Sequence, residues 1–411
     1  MAKQTKHELD SEQGPFITKL RSRHGPIVKR FWLQDSELIT QPSAQIYEGW
    51  AKTVSAENAD RLAEIINALR PIDALTLGQL PELAQTYELA TEANRTGSQI
   101  SRSKKFLRHN DGRAWMLLDI DTKDLPDKVI AAIEGRNAVD LLFDVVPELG
   151  GAPHLIRPSS SAGLTLPDGS SKPVSGYHVY VMVERGCEIP SLLRSIHDRL
   201  WSLGLGFFVV SKSGNLLERS LVDTAVDGPE RLIFEAEPFV HPPLTRNAPP
   251  MIIQSDGTPL SNFAGFCVEE VQRLKDEARA VLRPQEQAVR KQYEDRQIER
   301  IRRQQNIPAA QARRLVRQRL EDQLLEDHDL LEVGRGQFML VSEFLDRAEG
   351  QTGLPCPIEG SEYGLSTAQF YPRDEASPVP RIVSFAHGNM TIFHFARYRS
   401  LAGLRWLPSS N

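Results

Sequence analysis

The chain has 411 residues with a formal net charge of −5, 40% hydrophobic and 25% charged residues, and three cysteines. That length predicts two or three domains around substantial cores, and the charge excludes a globally basic nucleic-acid binder, so any polyanion site must be a local patch. Cys187, Cys267 and Cys356 are far apart with no Cys-x-x-Cys, which argues against a zinc ribbon or a disulfide framework and predicts a reducing compartment. The opening MAKQTKHELDSEQG has no apolar signal-peptide core, and no stretch approaches the roughly 18 apolar residues of a membrane span. The expectation is a cytoplasmic protein with no membrane partner.

Residues 1–14 are polar. The first clear helix is read over Ser55–Leu69, with Ser55 as N-cap and Leu62, Ile65, Ile66 and Leu69 as its buried stripe, stopped by Pro71. Ile72–Gly78 reads as a strand ending on a glycine turn. Residues 98–113 carry Arg102, Lys104, Lys105, Arg108 and Arg113 against one acid, Asp111. Such a run is either a solvated face or a phosphate contact, and it leads straight into Trp115-Met-Leu-Leu-Asp-Ile-Asp-Thr122.

This last stretch organises the chain. An apolar run ending on Asp119 and Asp121 reads as a buried strand, and side chains alternate, so the two carboxylates leave on one face and Leu118 and Ile120 on the other. Two acids that close do not both stay ionised cheaply unless a cation sits between them. Paired oxygen ligands on a strand suit Mg²⁺ or Mn²⁺ chemistry on phosphates, although Asp-x-Asp is also a common strand end.

Helices are expected over Leu125–Ala132 and Ala138–Val146, then a turn at 149–152, a short strand at His154–Arg157 and a small-residue loop through Ser159, Ser160 and Ser161 to Gly163. Residues 165–174 read as a hairpin tip. Ser175–Val183 is a strand with His178 on the same face as Tyr180, in a structural or a functional role. A helix over Ile189–Leu203 precedes a hairpin, Phe207–Ser211 and Leu216 onward, whose return carries Arg219 and Asp223. Asp223 lies among Leu221, Val222, Ala225 and Val226, where an acid is expensive to bury unless paired or metal-bound.

Prolines at 237–250 mark a domain end. Residues 268–330 read as charged helices, split by Pro308. Between Arg290 and Arg319, ten Lys/Arg face three acids. Arg313, Arg314, Arg317 and Arg319 belong to this run, a candidate nucleic-acid footprint or a solvated linker. Asp327-His-Asp329 is discounted as a helix end where i and i+2 splay apart. Gln337–Ala348 reads as a helix, and Ala368–Tyr371, Arg381–Phe385 and Met390–Phe395 as strands. Cys356, His387 and His394 match no zinc spacing.

Asp119-x-Asp121, Gly176-Tyr-His178 and Val222-Asp223, in that order, resemble the three motifs of the archaeo-eukaryotic primase superfamily, nearest the primase-polymerase modules of phages, plasmids and integrated elements. Asp73–Gly78, Ile100–Ser103, Arg157 with Ser159–Ser161, and Arg219–Val226 with Pro229–Arg231 also resemble that branch, over roughly residues 30–240. Ser384–Gly388 resembles a segment between such modules and a helicase. No Gly-x-x-x-x-Gly-Lys-[Ser/Thr] occurs, so a replicative helicase would be a separate partner.

The resemblance implies an α/β (α+β) fold for a catalytic domain over 1–265 with an N-terminal α/β part and a mixed, largely antiparallel sheet of RNA-recognition-motif type; the charge run and the elements beyond it predict a basic helical arm over 266–335 and a small α/β module over 336–411. It implies that Asp119, Asp121 and Asp223 hold two Mg²⁺ or Mn²⁺ ions, with no zinc. It further implies that His178 contacts the phosphates of an incoming NTP or dNTP, aided by Arg157, Ser160, Ser161 and Arg219. Arg102, Lys104, Lys105 and the arm arginines would hold single-stranded DNA template. The expected activity is primer synthesis or extension; a metal-dependent nuclease and a replication-initiation protein with a vestigial site are the alternatives. In two respects the sequence departs from the family: residues 165–174 intervene before the histidine strand, and there is no cysteine cluster.

Overall fold

A computed structural model describes residues 14–83, 85–92, 94–123, 125–261, 266–348, 350, 352–373, 378–386 and 390–398. His387 and Gly388 of the Ser384–Gly388 resemblance lie outside the described residues, as do 1–13 of the polar N-terminus. The fold is mixed α+β. Two compact units are present. One takes the described residues up to Phe207 together with Arg219–Lys275; the other takes Phe208–Glu218 together with the described residues from Asp276 onward. The charged helical region from Asp276 thus shares a unit with the C-terminal strands, and the first boundary falls ten residues beyond the one expected at 265.

The first unit contains two four-stranded antiparallel sheets. In one, Asp73–Thr76, Phe16–Ser22, Gly49–Ser55 and Thr86–Leu89 lie in that order. In the other the order is Ile252–Gln254, His154–Pro158, Gly176–Val183 and Ala114–Asp121. The helices Ala59–Asn67, Ala138–Val145 and Ile189–Ser202 feed Leu62, Ile66, Leu142, Leu192 and Ile196 into one core with Met116, Leu118 and Ile120 of the last strand. Trp115 is fully buried, and its indole N–H donates to the Ala56 carbonyl at 2.8 Å, tying this strand to the helix entry.

The N-cap of the first helix is Asn58, which accepts from the Arg61 amide, whereas Ser55 finishes a strand and bonds the Glu57 carboxylate. Asn is as good a cap as Ser, and the strand ladder claims Ser55 first. The expected turn at 149–152 is a short helix, Pro147–Gly151, opened by its proline.

In the second unit Leu324–Leu325, Thr391–Phe395, Arg381–Ser384, Ala368–Tyr371 and Thr352–Leu354 form a five-stranded sheet in that order. Phe370 packs edge-on against Phe344 and Phe395. The helices Val268–Gln305 and Ala309–Glu321, separated at Pro308, join through Ile301, Ala312, Leu315 and Val316. Gln337–Leu340 is a strand paired with Leu330–Gly334, and helix begins only at Val341. The Gly334–Gly336 turn, with Gly336 at φ 67°, folds the chain back before a helix can start.

Candidate functional site

The register of the central sheet sets one row of residues side by side. His178 pairs with Arg157 on one flank and with Asp119 on the other. Asp119 in turn bridges Asp223, whose amide donates to the Asp119 carbonyl at 2.9 Å. Paired residues in a ladder point to the same side, so Arg157, His178, Asp119 and Asp223 share a face. Asp121, two residues on, shares it too and is exposed. On that face Trp115 and Leu117 are buried while Asp119 retains 34% side-chain exposure, so the strand is apolar where it enters and acidic where it ends. Asp223 does not lie on the hairpin's return strand, which ends at Arg219. It caps the short helix Thr224–Val226, accepting from the Ala225 amide at 2.9 Å.

The three acids leave an electrostatic debt. Burial, then the negative charge of Asp223 and Asp121, raises the proton affinity of Asp119, while His178 and Arg231 oppose the rise. Arg231 is exposed and donates to the Ala225 carbonyl at 2.6 Å. Among the described residues, no choice of one oxygen from each of Asp119, Asp121 and Asp223 brings all three within 4.8 Å of one another. Among the described residues, the group whose ligand atoms do lie within 4.8 Å of one another, close enough to hold a metal ion, is instead His197, Asp198 and Glu218.

Behind His178 stands a residue that the sequence does not single out. Glu235 is 4% exposed and receives His178 Nδ1 at 2.6 Å and the Tyr180 hydroxyl at 2.5 Å, with Arg157 Nη1 at 3.2 Å. Burial alone would raise the Glu235 carboxyl, but His178 and then Arg157 outweigh it and hold it down to about 2. For His178, burial opposes the charged ring; the Glu235 charge and hydrogen bond win, with Asp119 adding, and its pKa is raised. Tyr180 is pushed well up by burial and then by Glu235, so its hydroxyl stays a donor. With Nδ1 engaged by Glu235, His178 Nε2 lies 3.7 Å from Asp119 and faces the acids. The signal in the sequence is Phe234-Glu-Ala-Glu237: an acid in apolar text needs a partner, but that partner lies 57 positions away.

The remaining candidates divide. Arg157 is buried and its guanidinium faces Glu235 and Glu237, so its charge serves Glu235 rather than an open phosphate position. Ser160 and Ser161 lie in the loop after Pro158, where Ser161 is 3.3 Å from the Ser159 hydroxyl. The Ser159 amide donates to the Gly176 carbonyl at 2.8 Å. Residues 165–174 fold out as a turn in which Thr165 bridges Ser171, so they do not separate the serines from the histidine strand. The loop closes on Gly163, at φ 76°, where a Cβ would meet the Asn247 carbonyl at 1.9 Å. Arg219 is half-buried just ahead of Asp223.

Arg102 is not open to solvent phosphates: it donates to the Glu230 carbonyl and to Gln45, each at 3.0 Å. Lys104 and Lys105 are exposed. In the second unit Arg313, Arg314 and Arg317 are exposed on one helix, but Arg319 is 5% exposed and paired with buried Asp329 at 3.6 Å. This removes Arg319 from the nucleic-acid footprint. It also shows Asp329 to be a buried partner in a turn rather than a splayed helix end. His394 is on a strand and Cys356 is buried. Among the described residues no helix is long and apolar enough to cross a membrane.

No protein-family model, no curated protein and no solved structure matches the chain.

Proposed function

We propose that the first unit is a template-directed nucleotidyltransferase, a DNA primase or polymerase working on single-stranded DNA with NTP or dNTP, built on a core of RNA-recognition-motif type. The observation that carries this reading is the row Arg157, His178, Asp119 and Asp223 with Asp121 on the same face. An acid group short of positive charge stands directly beside a histidine whose pKa its surroundings raise, and polyphosphate chemistry uses both.

Asp119, Asp121 and Asp223 would hold Mg²⁺ or Mn²⁺. Divalent ions bound there would acidify a 3′-hydroxyl and neutralise triphosphate and pyrophosphate charge. The chain's own contribution is positioning and fixed charge. Glu235 fixes the His178 ring through Nδ1 and favours its charged form, leaving Nε2 at the edge of the acid row. Arg157 and Tyr180 hold Glu235 in turn. Arg231, outside the acids, is a second cation available to phosphate oxygens. Ser160 and Ser161 stand beside the histidine strand as neutral donors. A nuclease could share the acids, but a histidine paired directly across from Asp119, on its own strand, favours triphosphate binding.

The test is incorporation of labelled nucleotide by the full chain on single-stranded DNA with Mg²⁺ or Mn²⁺, with and without a primer. Template-dependent products that vanish in Asp119→Ala and Asp121→Ala support the reading. Strand cleavage without synthesis hands the same acids to a nuclease. Synthesis that survives both substitutions removes the site altogether.

A further inference from the structure

The second unit contains a cleft of about 770 Å³, within the size range of small-ligand sites. Its cations are unevenly matched. Arg319 lines the cleft while 5% exposed; its Nη2 donates to the Leu330 carbonyl at 3.0 Å and lies 3.6 Å from the buried Asp329 carboxylate, while its Nε is buried with no hydrogen-bond partner. Arg300 stacks over the Phe338 ring at 4.9 Å, and its Nε also is buried and without a partner. Burial, and after it the charge of Arg319, lowers the pKa of Arg300, against the opposing charges of Tyr293 and Glu332. Arg335 is exposed at the turn beside them.

The carboxylates of the cleft are already engaged. Glu332 accepts from the amides of Gly336 and Ser361, each at 2.9 Å, and from the Ser361 hydroxyl at 2.6 Å. Glu362 pairs with Lys212 at 2.9 Å, and Glu359 accepts from the Ser213 hydroxyl. Buried guanidinium donors left unmet cost stability unless an anion satisfies them. Guanidinium forks match phosphate oxygens two at a time, and the Arg300 guanidinium is positioned over Phe338.

We propose that this cleft binds a phosphate-bearing anion, gripped by Arg300 and Arg319 at its wall and by Arg335 at its rim. The proposal does not rest on the nucleotidyltransferase reading, because every residue in it belongs to the second unit. A free polyphosphate and the 5′-phosphate of an oligonucleotide offer the same chemistry.

The test is calorimetric titration of the full chain, in EDTA so that the acid row repels phosphate, with sodium tripolyphosphate, citrate, and 5′-phosphorylated or 5′-hydroxyl oligonucleotide. One tripolyphosphate site per chain is expected, weakened about tenfold in Arg300→Gln and about threefold in Arg335→Gln, since each substitution removes one charge-assisted hydrogen-bonding group. His178→Ala should leave it unchanged. Stronger binding of the 5′-phosphorylated than of the 5′-hydroxyl strand supports the site and names a strand end as the source; equal binding of the two strands beside a tripolyphosphate site supports it with a free polyphosphate as the source. Melting curves accompany each variant, and exposed Arg335 still reads the site if Arg300→Gln folds poorly. No tripolyphosphate binding, binding unaltered in both arginine variants, loss in His178→Ala, or citrate bound as tightly would each overturn the proposal.

Discussion

At the Asp73 end of the N-terminal sheet one carboxylate meets three cations: Arg21 at 2.9 Å, Lys19 at 3.1 Å and Arg70 at 3.3 Å. At the Asp119 end of the central sheet, Asp119 lies 3.7 Å from His178 beside Asp121 and Asp223, and that histidine is already engaged by Glu235. Asp73 is fully buried, and although burial would raise its pKa, Arg21, Arg70 and Lys19 lower it. Asp119 keeps a third of its side chain exposed, and burial and then the charges of Asp223 and Asp121 raise its pKa against His178 and Arg231. Burial by itself therefore does not separate a structural acid from a functional one. The local charge balance does: satisfied at Asp73, in deficit at Asp119.

Substituting the two aspartates is the sharpest way to break this contrast. Asp73→Ala strands three cations and should cost about 3–5 kcal/mol in chemical denaturation, towards the lower figure because Lys19, Arg21 and Arg70 can turn to water. Asp119→Ala should cost nothing or stabilise slightly, since it relieves repulsion by Asp223 and Asp121. Equal losses at both sites would end the distinction.

Glu235→Gln comes next, because it turns a satisfied acid neutral inside the site. A loss of about 2 kcal/mol near pH 6 is expected, the scale of a charged hydrogen bond. Glu235 is held at about 2 against 4.5 unfolded, so its contribution is complete above pH 4.5 and is lost as pH falls towards 2. His178 is raised, so its share is complete below its ordinary 6.5 and is lost as pH climbs past the folded value. The variant should flatten both limbs, move the alkaline limb of activity to lower pH, and raise nucleotide KM without changing single-strand affinity. Unchanged pH profiles of stability and activity would leave Glu235 an ordinary buried acid.

The smallest effect is expected on the helix Ala309–Glu321, where charges face water. Arg313, Arg314 and Arg317 are exposed and Arg319 is not. If the exposed three meet template phosphates, converting them to Gln should flatten the salt slope of single-strand binding by about 2 units in all, some 0.7 per phosphate. An affinity and slope matching the unaltered chain would make this helix a solvated surface.

Much of the central sheet is legible in the sequence because its strands advertise themselves locally. Ala114–Asp121 and Gly176–Val183 carry apolar runs that end on polar side chains, and their alternation places Asp119, Asp121 and His178 correctly on one face. Glu235 and Arg319 are not legible, because their surroundings come from other parts of the chain. Glu235 is defined by His178 and Arg157, and Arg319 by Asp329, none of them a neighbour on its own element. The strand Gln337–Leu340 reads as helix in the sequence because Phe338, Met339 and Leu340 suit either, and pairing with Leu330–Gly334 decides.

The charge deficit at Asp119 is tested most directly by following the melting temperature of the full chain as Mn²⁺ or Mg²⁺ is added. A cation that binds only the folded acid row raises the melting point with concentration. The rise should be present in the unaltered chain and in Glu235→Gln, and absent in Asp119→Ala and Asp121→Ala, whose metal-free melting points match or exceed that of the unaltered chain. A metal-dependent rise that persists in both aspartate variants would contradict the account.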